Sequence, residues 1–108
     1  MVEQTLSLDS VFGSLADPTR RDIIARVASH ELSVGEIAGK YDLSLAAISK
    51  HLKVLEKARL IIKQRRGRQQ YVSLSPTALK TAEDYLHQYG KIMNQRLDSL
   101  EEYLKTEE

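Results

Sequence analysis

Apolar positions along this chain recur at intervals of three and four, give way to two short strand-like runs, and return to a helical period for the last third. Val11, Phe12 and Leu15 share one side of a short opening helix that Gly13 and the Asp17-Pro18 pair bring to a close. Asp17 then reads as an N-cap with Pro18 in the first helical position. The second helix it opens carries Ile23, Ile24 and Val27 on one face and stops at His30-Glu31-Leu32. Ser33 followed three residues later by Glu36 spells a capping box, in which hydroxyl and carboxylate satisfy each other's backbone donors. Val34, Ile37 and Ala38 supply the buried stripe of this third helix, and residues 39–43 interrupt it. Ser44 is a further N-cap, ahead of a longer helix that turns Ile48, Leu52 and Leu55 inward and leaves Ala46, Ala47, Ser49, Lys50 and Lys53 on the opposite side.

Two runs of β-formers follow, Leu60-Ile61-Ile62 and Tyr71-Val72-Ser73-Leu74. Residues 63–70 between them are predicted to form a basic turn in which Gly67 supplies the positive φ of a hairpin. Ser75-Pro76 opens the last helix, where Leu79, Ala82, Leu86, Tyr89, Met93, Leu97, Leu100 and Leu104 repeat in steps of three and four. The expected fold is therefore mainly α with a small β-hairpin, in the order α-α-α-α-β-β-α: a winged helix-turn-helix in outline. At 108 residues, of which 42% are hydrophobic, one domain spanning residues 1–108 is expected. A core of that size cannot cover the apolar stripe of the last helix along its full length. Residues 76–108, together with 1–16, are accordingly expected to join two copies in a homodimer.

Charge changes the picture from a fold to a function. Residues 44–70 hold eight of the sixteen Lys and Arg residues against one acid, Glu56, a net +7 that leaves −6 for the rest of a chain whose formal net charge is only +1. Such segregation suits a polyanion-binding face, and nucleic acid is the expected partner. Aromatic residues make up 6% of the chain, too few to stack single-stranded bases, so the double-stranded form is favoured. The absence of cysteine excludes disulfides, a thiolate nucleophile and sulfur-ligated metal. No apolar run approaches membrane-spanning length and residues 1–10 do not read as a leader, so a cytoplasmic protein without membrane contact is expected. The histidines form no recognisable hydrolytic constellation, and enzymatic activity is not expected.

Four strings give these elements a family likeness. Residues 15–24 (LADPTRRDII), 32–38 (LSVGEIA), 43–55 (LSLAAISKHLKVL) and 65–74 (RRGRQQYVSL) resemble, in order and separation, the successive signatures of ArsR-type bacterial repressors. The resemblance implies a homodimeric repressor that inserts its second motif helix into the major groove of a palindromic operator while a wing reaches the flanking backbone. Candidate DNA contacts are then Ser44, Leu45, Ala46, Ala47, Ser49, Lys50, His51 and Lys53 on a recognition helix at 44–57. Arg65, Arg66 and Arg68 are the candidates on a wing at 60–74. Two readings stay open for Leu45, outward onto a thymine methyl or inward onto the Ile48/Leu52 stripe. His51 reads either as a phosphate contact or as a packed structural residue. Arg20 and Arg21 read either as DNA-backbone contacts or as members of local ion pairs.

The family's metal-sensing members carry a cysteine where this chain has Ser33, so no thiolate site is expected, and no cofactor is implied. A second family site, on the last helix, corresponds to Asp84, His87, Asp98 and Glu101; one imidazole per chain makes this a poor trap for a transition metal. A zinc-responsive repressor using these residues, and a winged-helix module that meets an acidic protein, are the alternative functions. Release from DNA by a small ligand between the terminal helices, by a protein antagonist, or by simple concentration control of an autorepressor is each compatible with the sequence.

Overall fold

The computed structural model describes residues 2–106, with side chains from residue 8 onward; residues 1, 107 and 108, the outermost positions of the two expected dimerisation segments, lie outside the described residues. The elements are α1 (Val2–Leu15), α2 (Pro18–Ser29), β1 (Leu32–Ser33), α3 (Val34–Ala38), α4 (Leu45–Lys57), β2 (Ile61–Arg66), β3 (Gln69–Leu74) and α5 (Pro76–Thr106). Gly13 lies inside α1 rather than at its end.

The starts of α2, α3 and α4 are fixed by the caps their sequence announces. Asp17 Oδ2 accepts from the Arg20 backbone N–H at 3.0 Å. Ser33 Oγ accepts from Glu36 N at 3.1 Å while Glu36 Oε1 accepts from Ser33 N at 2.9 Å, which completes the capping box. Ser44 Oγ accepts from Ala47 N at 3.1 Å. These bonds satisfy donors that a helix N-terminus otherwise leaves free. The end of α1 is closed from outside. Arg20 Nε donates to the Ser14 carbonyl at 2.7 Å, Arg20 Nη2 to Gly13 O at 3.3 Å, and Arg21 Nη1 to Leu15 O at 2.8 Å. Both arginines thus complement the negative end of the α1 dipole.

The end of α4 is a Schellman turn: Leu60 N donates to Leu55 O at 3.0 Å and Arg59 N to Glu56 O at 2.9 Å. Arg59 takes the left-handed position of this motif, with φ 63°, where glycine is the usual occupant. Leu55 and Leu60, which flank the reversal, are both fully buried.

The sheet is antiparallel and three-stranded, in the order β1-β3-β2. β1 was not anticipated; it pairs Leu32 with Val72 and Ser33 with Tyr71. Pairing of β2 with β3 runs from Ile61↔Leu74 to Arg66↔Gln69, so most of the expected basic turn is strand and the connection is only Gly67-Arg68. Gly67, at φ 65°, fills the first turn position as a II′ hairpin requires. Ile23, Ile37, Ile48, Leu52, Leu55, Leu60, Ile61, Val11 and Val72 pack as the core between α1, α2, α3, α4 and the sheet.

Beyond its first two turns α5 leaves this core. Ala78 and Ala82 are its only buried residues, and its 31 residues span about 46 Å. The radius of gyration is 18.7 Å, against about 13 Å for a compact domain of this length.

Candidate nucleic-acid interface

With Ile48, Leu52 and Leu55 buried, α4 turns its other sides to solvent. Leu45, Ala46, Ser49, Lys50, Lys53 and Lys57 are exposed, and Ala47 is half-buried. Leu45 is 62% exposed, which settles its direction as outward. The Ser44 side chain is committed to its cap. His51 is half-buried, with Nδ1 placed 3.4 Å from Arg20 Nη1 and 3.9 Å from Asp17 Oδ2. This cluster ties α4 to the start of α2 and, through Arg20, to the end of α1. The guanidinium groups of Arg20 and Arg21 are thus engaged at the end of α1. The Arg20 backbone N–H, foremost among several contacts, holds the Asp17 carboxyl below its usual range.

A second cluster braces the segment that leads into α4. Asp22 accepts hydrogen bonds from the Tyr41 hydroxyl and, at 2.9 Å, from Arg26 Nε; the Arg26 guanidinium also lies 5.6 Å from the Tyr41 ring centre. The Tyr41 hydrogen bond, then that of Arg26, lowers the Asp22 carboxyl from its ordinary value. Tyr41, in the segment that joins α3 to α4, is thereby held against α2.

The wing is pinned from both faces. Lys63 reaches back to Glu56 on α4, with Nζ 3.3 Å from Oε1. Strand alternation puts Arg65 on that same α4-facing side, one step nearer the tip. On the opposite face Arg66 ion-pairs with Glu31, and its guanidinium stacks 4.2 Å from the centre of the Tyr71 ring. On α4 and the hairpin, Lys50, Lys53, Lys57, Arg65 and Arg68 are exposed cations with no carboxylate partner among the described residues. Glu31, Glu56 and Tyr71 were missed as wing supports. Tyr71 could have been found from the hairpin register, whereas nothing in the sequence links Glu31 to a residue 35 positions away.

Between α1 and α5, Phe12, Leu15, Leu79, Ala82 and Leu86 line an apolar cleft of about 590 Å³ to which the exposed Glu83 and His87 also contribute. Beyond it Leu86, Tyr89, Ile92, Met93, Leu97, Leu100, Tyr103 and Leu104 each remain about half exposed. Among the described residues, no three His, Asp or Glu side chains gather within one chain. Asp84 lies 3.1 Å from Lys80 Nζ and Glu101 3.4 Å from Lys105 Nζ, each one turn away on α5. No helix among the described residues is long and apolar enough to cross a membrane.

Comparison with known proteins agrees with this architecture. The helix-turn-helix domain family matches residues 15–64. The HTH-type transcriptional regulator Rv2034 of Mycobacterium tuberculosis is 44% identical over 73 residues, covering 68% of this chain and 68% of its own. The transcriptional repressor SdpR of Bacillus subtilis is 33% identical over 79 residues, covering 73% of this chain and 88% of its own. Among solved structures, the ArsR family transcriptional regulator RHA00566 superposes with a TM-score of 0.75 at 26% identity, over 87% of this chain and 94% of that one. With helix-turn-helix, wing and terminal helices all in their places, the chain belongs to the ArsR family of winged helix-turn-helix transcriptional regulators, a family of DNA-binding, non-enzymatic proteins.

Proposed function

We propose that this protein is a cytoplasmic, homodimeric repressor that binds a palindromic operator in double-stranded DNA. The observation that carries the reading is the exposed cationic strip of α4 continued by the wing: Lys50, Lys53 and Lys57, then Arg65 and Arg68, none of them paired with a carboxylate among the described residues. Ala46 and Ser49 on the same helix are small enough for close approach to a groove. Lys50 and Ser49 face base edges in this reading, and Arg65 and Arg68 meet phosphates. Arg66 and His51, engaged within the chain, hold the wing and α4 in position.

The two-fold arrangement rests on α5. Its half-exposed stripe and the α1–α5 cleft are covered by the same surfaces of a second copy, an isologous contact that presents two recognition helices to one face of the duplex. Asp84 and Glu101 face lysines on their own helix, which favours a repressor that works without a metal at these positions. The name of the relative SdpR supports repression as the direction of control.

Selection from a pool of random duplexes tests the proposal. Recovery of an inverted repeat with half-sites about one helical turn apart, and loss of that preference in Lys50→Ala, is the expected result. A pool that shows no enrichment would leave the winged-helix protein-binding reading in its place.

A further inference from the structure

We infer that Leu45 is a specificity-determining residue that reads the 5-methyl group of a thymine in each operator half-site. The inference rests on the DNA-binding reading above and adds to it the identity of one recognised group. Ser44 caps α4, so Leu45 is its first helical residue. The N-terminal residues of a recognition helix are those that meet base edges. Leu45 is 62% exposed, the most exposed large hydrophobic side chain among the described residues. Nothing in the fold accounts for that exposure, because the core stripe of α4 is complete with Ile48, Leu52 and Leu55.

Position on the helix narrows the role. Leu45, Ser49 and Lys53 stand at i, i+4 and i+8, so they form one strip along the exposed side of α4. Ser49 and Lys53 can donate hydrogen bonds to acceptors on bases or phosphates. A leucine can do neither. Among the groups displayed in the major groove, the thymine methyl alone rewards an apolar side chain. The exposed Leu43 is a different case, since it precedes the cap at the site from which an apolar residue commonly staples onto the fourth helical position, here Ile48. An unrelated partner protein is disfavoured for Leu45 because the exposed side of the helix it opens carries Lys50, Lys53 and Lys57, a setting complementary to a polyanion.

The experiment removes one methyl at a time. A duplex selected from a random pool by the wild-type protein serves as the probe, and each thymine of its half-sites is replaced in turn by deoxyuridine, which keeps base pairing and every hydrogen-bonding edge. Fluorescence anisotropy then gives the affinity of the wild type and of Leu45→Ala. The wild type is expected to lose about fourfold per half-site at one particular thymine, the worth of one buried methyl, and Leu45→Ala to be indifferent to the same replacement. Circular dichroism is expected to show an unchanged fold, since the side chain is mostly in solvent. If duplexes are bound but no replacement matters, or Leu45→Ala keeps the wild-type sensitivity, Leu45 does not read a methyl although the DNA-binding reading stands. If no duplex is recovered, both fail.

Discussion

Substituting Leu97 tests the oligomeric part of the account. Leu97 sits on the distal half of α5, is 53% exposed, and lies in the same stripe as Met93, Leu100 and Leu104. It lies outside the core of the described residues, so Leu97→Ala is expected to leave the melting of the isolated fold almost unchanged. Fully burying a leucine is worth roughly 1.5–3 kcal/mol, and about half of this side chain is already covered, which leaves about 1 kcal/mol to be gained against a partner. Two-fold symmetry uses the residue twice. Truncation is then expected to cost about 2 kcal/mol of dimer stability, roughly a thirtyfold rise in the dimer dissociation constant. Leu97→Lys, which would place a charge in the seam, is expected to cost more. Sedimentation velocity over a concentration series reads both effects. A wild type that stays monomeric at tens of micromolar, or a Leu97→Lys variant that dimerises as the wild type does, would refute the reasoning.

Other consequences follow from particular contacts. Arg59→Gly removes the cost of a side chain at φ 63° and is expected to raise stability by about 1 kcal/mol, or about 4–8 °C in Tm, by thermal denaturation. Glu31→Gln frees Arg66 for a phosphate and is expected to steepen the salt dependence of duplex binding by about 0.9 per half-site, while Arg66→Ala leaves the slope as it was; equal slopes for Glu31→Gln and wild type would contradict the wing geometry. Asp17, Asp22 and Glu36 are held below their ordinary values, Glu36 chiefly by the Ser33 backbone N–H. Groups lowered in this way stabilise the fold above their unfolded values of about 4 and release that stabilisation as the pH falls through the folded ones. Denaturant titrations are therefore expected to give flat stability from about pH 7 to 5 and a decline below about pH 4, and Glu36→Ala is expected to make that decline shallower.

The sequence was most legible where the physics is local. Asp17-Pro18, the Ser33/Glu36 pair and Ser44 each satisfy backbone donors within four residues, so helix starts could be read from the caps. The stripe Ile48, Leu52, Leu55 likewise requires only the helical period. What was lost depends on pairing across distance. β1 is two residues long and exists because Leu32 and Ser33 meet Val72 and Tyr71, a register that no short window contains. Residues 63–66 are strand despite their charge because they continue a hairpin closed by Gly67-Arg68. Arg59 takes a glycine's conformation, so the stop after α4 bore no glycine to announce it. At the site, the exposure of Lys50 and Lys53 was readable from helix faces. The retention of Arg66 by Glu31 and the use of Arg20 to close α1 were not, because each guanidinium finds its partner through the fold rather than through sequence neighbours.

The most direct measurement of the central claim is the affinity of the protein for a selected inverted-repeat duplex as a function of salt. If Lys50, Lys53, Lys57, Arg65 and Arg68 of two protomers face one duplex, about six to ten phosphates are neutralised. Affinity is then expected to fall by about 10³–10⁵-fold between 50 and 200 mM salt. An affinity that stays nearly constant over that range would contradict a cationic DNA-binding face.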